Sequence, residues 1–246
     1  MTDSTKDNLD QSGLRFLTNT DLWTPPAPSI ATRIPSLKSR GSGRALLHYP
    51  QHNRQIVCES VLEMKVALVL MARDDVKLIE DQPAAVTYVD ANGKKKRHTF
   101  DFRVTSQTYS AARVRTAIAV KPAVKAEKYG WAEIIKDIGR QTGPSFADRY
   151  VLLTEKNVLP DTVYNAQLIL AARRVANDDH DQSLRDIAVG LHGAVTLADL
   201  IAASGLEADG MFAAARLIAR GELIIKPRER ICQTTLVRAP STKKVA

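Results

Sequence analysis

The 246-residue chain has only two cysteines, Cys58 and Cys232, far apart and outside any CxxC pair. That excludes a disulfide framework and a cysteine-rich zinc ribbon, and two reduced thiols are expected. The five histidines, His48, His52, His98, His180 and His192, show no zinc-ligand spacing. No apolar run approaches the roughly 18–20 residues of a membrane span. The first ten residues, MTDSTKDNLD, are polar and acidic, unlike a secretory leader, so a cytoplasmic protein is expected. GxGxxG, GxxxxGKS/T and GxSxG signatures are missing, which removes sequence support for dinucleotide folds, P-loop NTPases and α/β-hydrolases. There is no internal repeat and no low-complexity run.

The residues that are present describe a globular protein with a basic surplus. With 44% apolar and 25% charged residues a sizeable core can form, and the length is compatible with two domains. The net charge of +8 favours polyanion partners, nucleic acid first and an anionic membrane second. A basic protein with no polyanion ligand is the plain alternative.

Breakers and periodicity divide the chain. Residues 1–42, with Pro25-Pro26, Pro28, Pro35, Gly41 and Gly43 in and just after them, read as an extended or disordered arm. Its basic stretch Arg33–Arg40 suits nucleic acid, a partner subunit, or a merely solvated tail. Residues 43–158 alternate strands and helices. Arg44–Tyr49, Arg54–Val57, Val76–Glu80, Ala84–Val89 and Tyr150–Thr154 read as strands, and Glu59–Met71 and Val124–Arg140 as helices. Asp90-Ala91-Asn92-Gly93 signals a hairpin, from which Lys94 begins a strand running into Asp101. This order predicts an α/β or α+β domain with a mixed sheet. Residues 159–239 read as helices over 162–175, 183–191, 196–203 and 208–220, then a basic hairpin over 223–237. That is the order of a winged helix-turn-helix. Residues 240–246 form a tail.

Two alternating segments, Thr99–Val104 and Thr116–Pro122, carry the candidate chemistry. Period two places Phe100, Phe102 and Val104 on one face and Thr99, Asp101 and Arg103 on the other. Ala117, Ala119 and Lys121 likewise oppose Thr116, Ile118 and Val120. Antiparallel pairing through a turn near Tyr109–Ala111 brings Asp101 beside Ala119 or Lys121, in an open, charged notch. Metal-dependent phosphodiester cleavage needs oxygen ligands for Mg²⁺, a group to orient water, and positive charge near the phosphate. Asp101 and Glu63 can supply carboxylates, the carbonyl of Ala119 or Val120 a further oxygen, and Lys121 the charge. A plain Asp101–Lys121 ion pair is the alternative. Lys94, Lys95, Lys96, Arg97, Arg113, Arg115, Lys125 and Lys128 are candidate phosphate contacts near the notch, or else a solvated basic face.

The runs Glu59–Glu63, Asp75–Pro83, Thr99–Phe102 and Ala117–Pro122, in this order, resemble the TnsA-type endonuclease subunit of heteromeric cut-and-paste transposases. The likeness spans residues 43–230, through Trp131 and a C-terminal segment, 205–227, similar to that family's winged helix. It implies a restriction-endonuclease-like PD-(D/E)xK nuclease domain followed by an α-helical winged-helix domain. By the same resemblance Glu63, Asp101 and Lys121 are catalytic, with Mg²⁺ (or Mn²⁺) held by Glu63, Asp101 and the Val120 carbonyl. The implied activity is cleavage of transposon 5′ ends in double-stranded DNA. The implied partners are a DDE-type transposase subunit and an ATP-dependent regulator, and DNA binding would bring the cytoplasmic protein to the nucleoid.

One residue departs from the pattern. Two positions before the lysine the family carries an acidic or amide side chain, and here it is Ala119. Glu63 can compensate from its helix, with Glu59 one turn earlier as the spare acid. The departure keeps two other readings open: a catalytically weak or silent DNA-binding assembly subunit, and a stand-alone restriction-type or phage nuclease.

Overall fold

The computed structural model describes residues 24–33, 43–108 and 110–240. Most of the arm, the basic stretch beyond Arg33, Tyr109 of the expected turn, and the tail beyond residue 240 lie outside the described residues. Strand β1 (Ala45–Tyr49) pairs antiparallel with β2 (Arg54–Cys58) through a tight turn in which Asn53 takes φ 40°. Helix α1 (Val61–Ala72) follows, rich in good helix formers. Ser60 caps it, its Oγ accepting from the Glu63 amide at 3.2 Å.

Strand β3 (Val76–Asp81), the ribbon of β4 (Val86–Val89) and β5 (Lys95–His98), β6 (Phe102–Gln107), β7 (Arg113–Val120) and β8 (Arg149–Leu153) come next. The main sheet has the order β3-β6-β7-β8, antiparallel except for the parallel β7–β8 pair. This is the mixed sheet that the sequence pattern predicts. The β4–β5 hairpin turns through Asp90–Gly93, with Gly93 at φ 75°. It is fastened at its open side, where the Gln141 amide exchanges two hydrogen bonds with the Val89 backbone at 2.8 and 2.9 Å.

Both sheet faces are covered. Phe102, Val104, Ile118 and Val120 pack under Val66, Ala67, Leu70 and Met71 of α1. The opposite face carries Ala117 and Ala119, small enough for a helix to approach closely, and buries Ile135 and Ile138. That helix is α3 (Trp131–Thr142), and it follows the short α2 (Ala123–Lys128). The single helix expected over 124–140 is therefore two, because Gly130 adopts φ 62° and interrupts the run.

Two further expectations change here. The strand from Lys94 does not run into Asp101: β5 ends at His98, residues 99–101 bend, and β6 starts at Phe102. The bend sends Phe100 to the α3 side with Ala117 and Ala119, rather than to the face of Phe102. Ala119 is fully buried in that layer, so the alanines do not leave open space.

The C-terminal region holds α4 (Pro160–Arg174), α5 (Asp178–Val189), β9 (Val195–Thr196), α6 (Leu197–Ser204), α7 (Glu207–Ala219) and β10 (Leu236–Val237). Thr196 caps α6 through the Asp199 amide, as its sequence predicts. Helix α5 begins five residues before the expected Ser183, because Asn177 caps it by accepting from the Asp179 and His180 amides. The expected 223–237 hairpin reduces to a bridge between Ile224 and Arg238, and β10 pairs instead with β9. Arg173 of α4 donates to the Met71 and Ala72 carbonyls at 2.9 Å, joining this region to the C-terminal end of α1. Among the described residues no helix is long and apolar enough to cross a membrane.

The described part of the arm is extended and docked. Ala27 exchanges backbone hydrogen bonds with Asn53 and Gln55 at 2.8 Å, and the Thr32 amide donates to the Gln82 carbonyl at 3.0 Å.

Candidate active site

Asp101 sits where three strands meet. Its amide donates to the Ile118 carbonyl and its carbonyl accepts from the Gln82 amide, both at 3.0 Å. The β6–β7 register pairs Phe102 with Ile118, which sets Asp101 opposite Ala119. Its Oδ2 accepts from the Val120 amide at 2.6 Å and from Lys121 Nζ at 3.2 Å, and the residue is 7% exposed. Lys121 is anchored by its amide to the Leu153 carbonyl of β8 at 3.0 Å. Its Nζ lies 5.5 Å from the Trp131 ring centroid, a cation–π contact with the first residue of α3.

Glu63 approaches from α1, also 7% exposed. Its carboxylate accepts from Ser60 Oγ at 2.9 Å and from the Glu59 amide at 2.7 Å. Ser60-Val61-Leu62-Glu63 carries the S-x-x-E spacing of a capping box, but the returning bond goes to the Glu59 amide, one residue before the cap. Burial pushes the Glu63 carboxyl up from its usual range, and the Asp101 charge adds to this. The Glu59 amide, the Ser60 hydroxyl and Lys121 oppose it. The Cys58 thiol is also raised, by burial first and then by the charges of Glu63, Asp81 and Asp101. Asp81 itself is fully paired, with Arg54 Nη1 at 3.0 Å, the Val57 amide at 2.8 Å and Ser29 Oγ at 2.5 Å.

Asp101 and Lys121 are thus in contact, and Glu63 is near enough for both charges to act on its carboxyl: two carboxylates and one ammonium. Among the described residues no cluster of three or more His, Cys, Asp or Glu side chains is arranged to hold a metal ion. A cation here would take two carboxylates and complete its shell from main-chain oxygen and water, a donor set that suits Mg²⁺. The raised Glu63 carboxyl fits such a group, because a divalent charge would offset the burial that chiefly raises it and the Asp101 repulsion that adds to it. Glu59, the spare acid, is engaged elsewhere: both its oxygens accept from Arg33 Nη2 of the arm, at 2.5 and 2.6 Å.

The basic candidates separate into groups. Lys94, Lys95, Lys96 and Arg97 lie on the exposed β4–β5 ribbon, with Lys96 paired to Asp90 at 2.7 Å. Arg97 lines a depression of about 470 Å³ with Thr32, Arg33 and Thr99. Lys125 and Lys128 belong to α2, which leaves directly after Lys121, and Lys128 lies over Tyr129. Arg113 and Arg115 are not near the notch. They start β7 while Lys121 follows its end, and at ~3.3 Å per residue the separation is about 20–26 Å. Arg115 also donates to the Pro144 and Ser145 carbonyls.

Residues 73–159 match the family model described as TnsA-like endonuclease N terminal. Over these residues the chain is similar to TnsA-type endonucleases. No curated protein matches the chain. The TnsA-like match includes Asp101, Val120 and Lys121, and stops short of Glu63 on one side and of α4–α7 on the other. The similarity therefore lies in the mixed-sheet region and not in the C-terminal helices.

Proposed function

We propose that the protein is a metal-dependent DNA endonuclease subunit of a transposition system, hydrolysing phosphodiester bonds at transposon 5′ ends. The observation that carries this is the Asp101–Lys121 pair at the end of β7, inside the TnsA-like match, with Glu63 of α1 close enough to be acted on by both charges. Glu63, Asp101 and the Val120 carbonyl would hold Mg²⁺ or Mn²⁺, which supplies Lewis-acid stabilisation of the phosphate and a more acidic bound water. Lys121 places an ammonium beside the reacting phosphate and orients the attacking water. The Val120 amide fixes one Asp101 oxygen and leaves Oδ1 available. The capping contacts fix Glu63 against α1, so its carboxylate is held rather than freely rotating.

The order α5, β9, α6, α7 and the bridged 224–238 segment supports reading residues 159–239 as a winged-helix unit for DNA or for a partner. A DDE-type recombinase processing the 3′ ends and an ATP-using regulator are the expected partners. Arg97, Lys94, Lys95, Lys125 and Lys128 serve as phosphate contacts in this reading, and cytoplasmic residence with association to the nucleoid follows from it.

A catalytically silent assembly subunit is the second reading. It is favoured by buried Ala119 and by the use of both Glu63 oxygens in the helix cap. Nicking of transposon-end DNA with Mg²⁺ and the partner recombinase, wild type against Asp101→Ala, decides between them. Loss of 5′ cleavage with 3′ processing retained is expected; 5′ cleavage that survives Asp101→Ala removes the nuclease assignment.

A further inference from the structure

His98 closes β5 with a buried side chain, and its Nε2 is one of two buried side-chain polar atoms without a hydrogen-bond partner among the described residues. Native folds rarely leave such an atom unpaired, so it calls for an explanation. The imidazole stands edge-on to Phe100, with centroids 4.7 Å apart, and lies tilted against Trp131 at 5.4 Å. The same indole carries Lys121 Nζ at 5.5 Å. Burial, and then the Lys121 charge, bring the imidazole down to about 4. The ring is neutral at physiological pH and offers one nitrogen lone pair.

Lys121 is the looser of the two donors on Asp101 Oδ2. The Val120 amide reaches that oxygen at 2.6 Å, whereas Nζ stands at 3.2 Å, longer than the ~2.7–2.9 Å of a well-made ammonium–carboxylate bond. A lysine head on a flexible stem exchanges partners readily. We propose that His98 is a positioning residue for Lys121, its Nε2 accepting the ammonium when Nζ leaves Asp101 and the Trp131 face holding the cation alongside. This gives the ammonium a second fixed station once Asp101 is engaged otherwise, and it accounts for the unpaired nitrogen. The proposal rests on the nuclease reading for its purpose, but its geometry can be tested without cleavage.

The test follows the side-chain ammonium resonance of Lys121 in the full-length chain labelled with 15N-lysine, identified by its loss in Lys121→Arg. Asp101→Asn removes the charged partner and should leave ammonium proton exchange slow. Adding His98→Phe to Asp101→Asn should speed exchange about tenfold, the scale of one lost hydrogen bond, while His98→Gln keeps an acceptor and keeps exchange slow. Equal exchange in the Phe and Gln double variants overturns the proposal, as does a Phe variant indistinguishable from Asp101→Asn alone. In the nicking assay, His98→Phe in the otherwise wild-type chain should lower kcat about tenfold at unchanged KM, with His98→Gln recovering most of it. Matching losses in both would assign His98 to packing and sink the idea. A wild type that nicks no DNA while the exchange pattern holds removes the nuclease reading and leaves the lysine station in place.

Discussion

Asp181 and Asp101 are both buried carboxylates, but they have different neighbours. Asp181 of α5 is met by Arg216 at 2.7 Å and Arg220 at 2.5 Å, both reaching over from α7 and its C-cap. Arg216 is itself buried and also donates to the Ala172 carbonyl of α4 at 2.8 Å. Burial pushes the Asp181 carboxyl up, yet the two guanidiniums outweigh it and hold it below the usual range. At the end of β7 the balance is reversed: Glu63 and Asp101 share one lysine, and Glu63 is raised. A buried acid that brings its own cations joins helices together. A pair of acids one cation short is a place for something to bind.

The largest effect expected from this contrast is on cleavage. Asp101→Ala should lower 5′ nicking at least about 10³-fold with little change in Tm, since it removes the carboxylate on which the site converges. Asp181→Asn should do the opposite. It leaves Arg216 buried beside a neutral amide, and breaking a buried pair costs about 3–5 kcal/mol. Denaturant unfolding reads that loss, with nicking per folded molecule retained. The Asp181 contribution is present above the unfolded carboxyl value and is lost as pH falls through the lower folded one, so the gap between the two proteins closes in acid. If Asp181→Asn abolishes nicking in a fully folded protein, the division between the two acids fails.

Only the Asp101 side of this contrast is legible in the sequence; nothing in the pattern marks Asp181 or its two arginines. Alternation with antiparallel pairing brings Asp101 beside Ala119 or Lys121, and the observed register decides for Ala119. Thr196 marked the start of α6 for an equally local reason. The misses are non-local or depend on a backbone conformation. Residues 99–101 leave the strand where Gln82, just past β3, and Ile118 of β7 take the Asp101 backbone, contacts that no window along the chain contains. Gly130 stops α2 by a positive φ, which helix propensity summed over the window outweighed. Arg113 and Arg115 were grouped with Lys121 by sequence distance, although an extended strand carries them far away. His98 shows no zinc spacing and nothing else marks it in the sequence, since burial and a missing partner leave no trace in composition.

A smaller effect is expected at the cap that serves both the fold and the site. Ser60→Ala removes the acceptor for the Glu63 amide and the donor to Glu63 Oε1 together. Loss of a serine N-cap costs about 1 kcal/mol, to be read as a shift of the urea midpoint. Nicking should fall as well, because Glu63 loses one of the two contacts that orient it. A variant destabilised to this degree with unaltered single-turnover cleavage would separate the cap from the site.

The smallest expected change is a gain in stability. Glu63→Gln keeps a side-chain oxygen that can accept from the Glu59 amide and removes a charge that burial and Asp101 disfavour. A carboxyl raised in the folded state helps stability while protonated, below its unfolded value, and that help is lost as pH rises through the folded value. The wild type therefore falls behind the glutamine variant as pH climbs from about 4, and the two converge in acid. At neutral pH the advantage should be a Tm gain of about 2 °C. Adding Mg²⁺ should raise the Tm of the wild type and leave Glu63→Gln nearly unmoved, since the substitution removes one of the two carboxylate charges that would hold the cation. A glutamine variant that loses stability at every pH would mean that Glu63 acts only as a cap, and the excess of negative charge at the end of β7 would have no functional meaning.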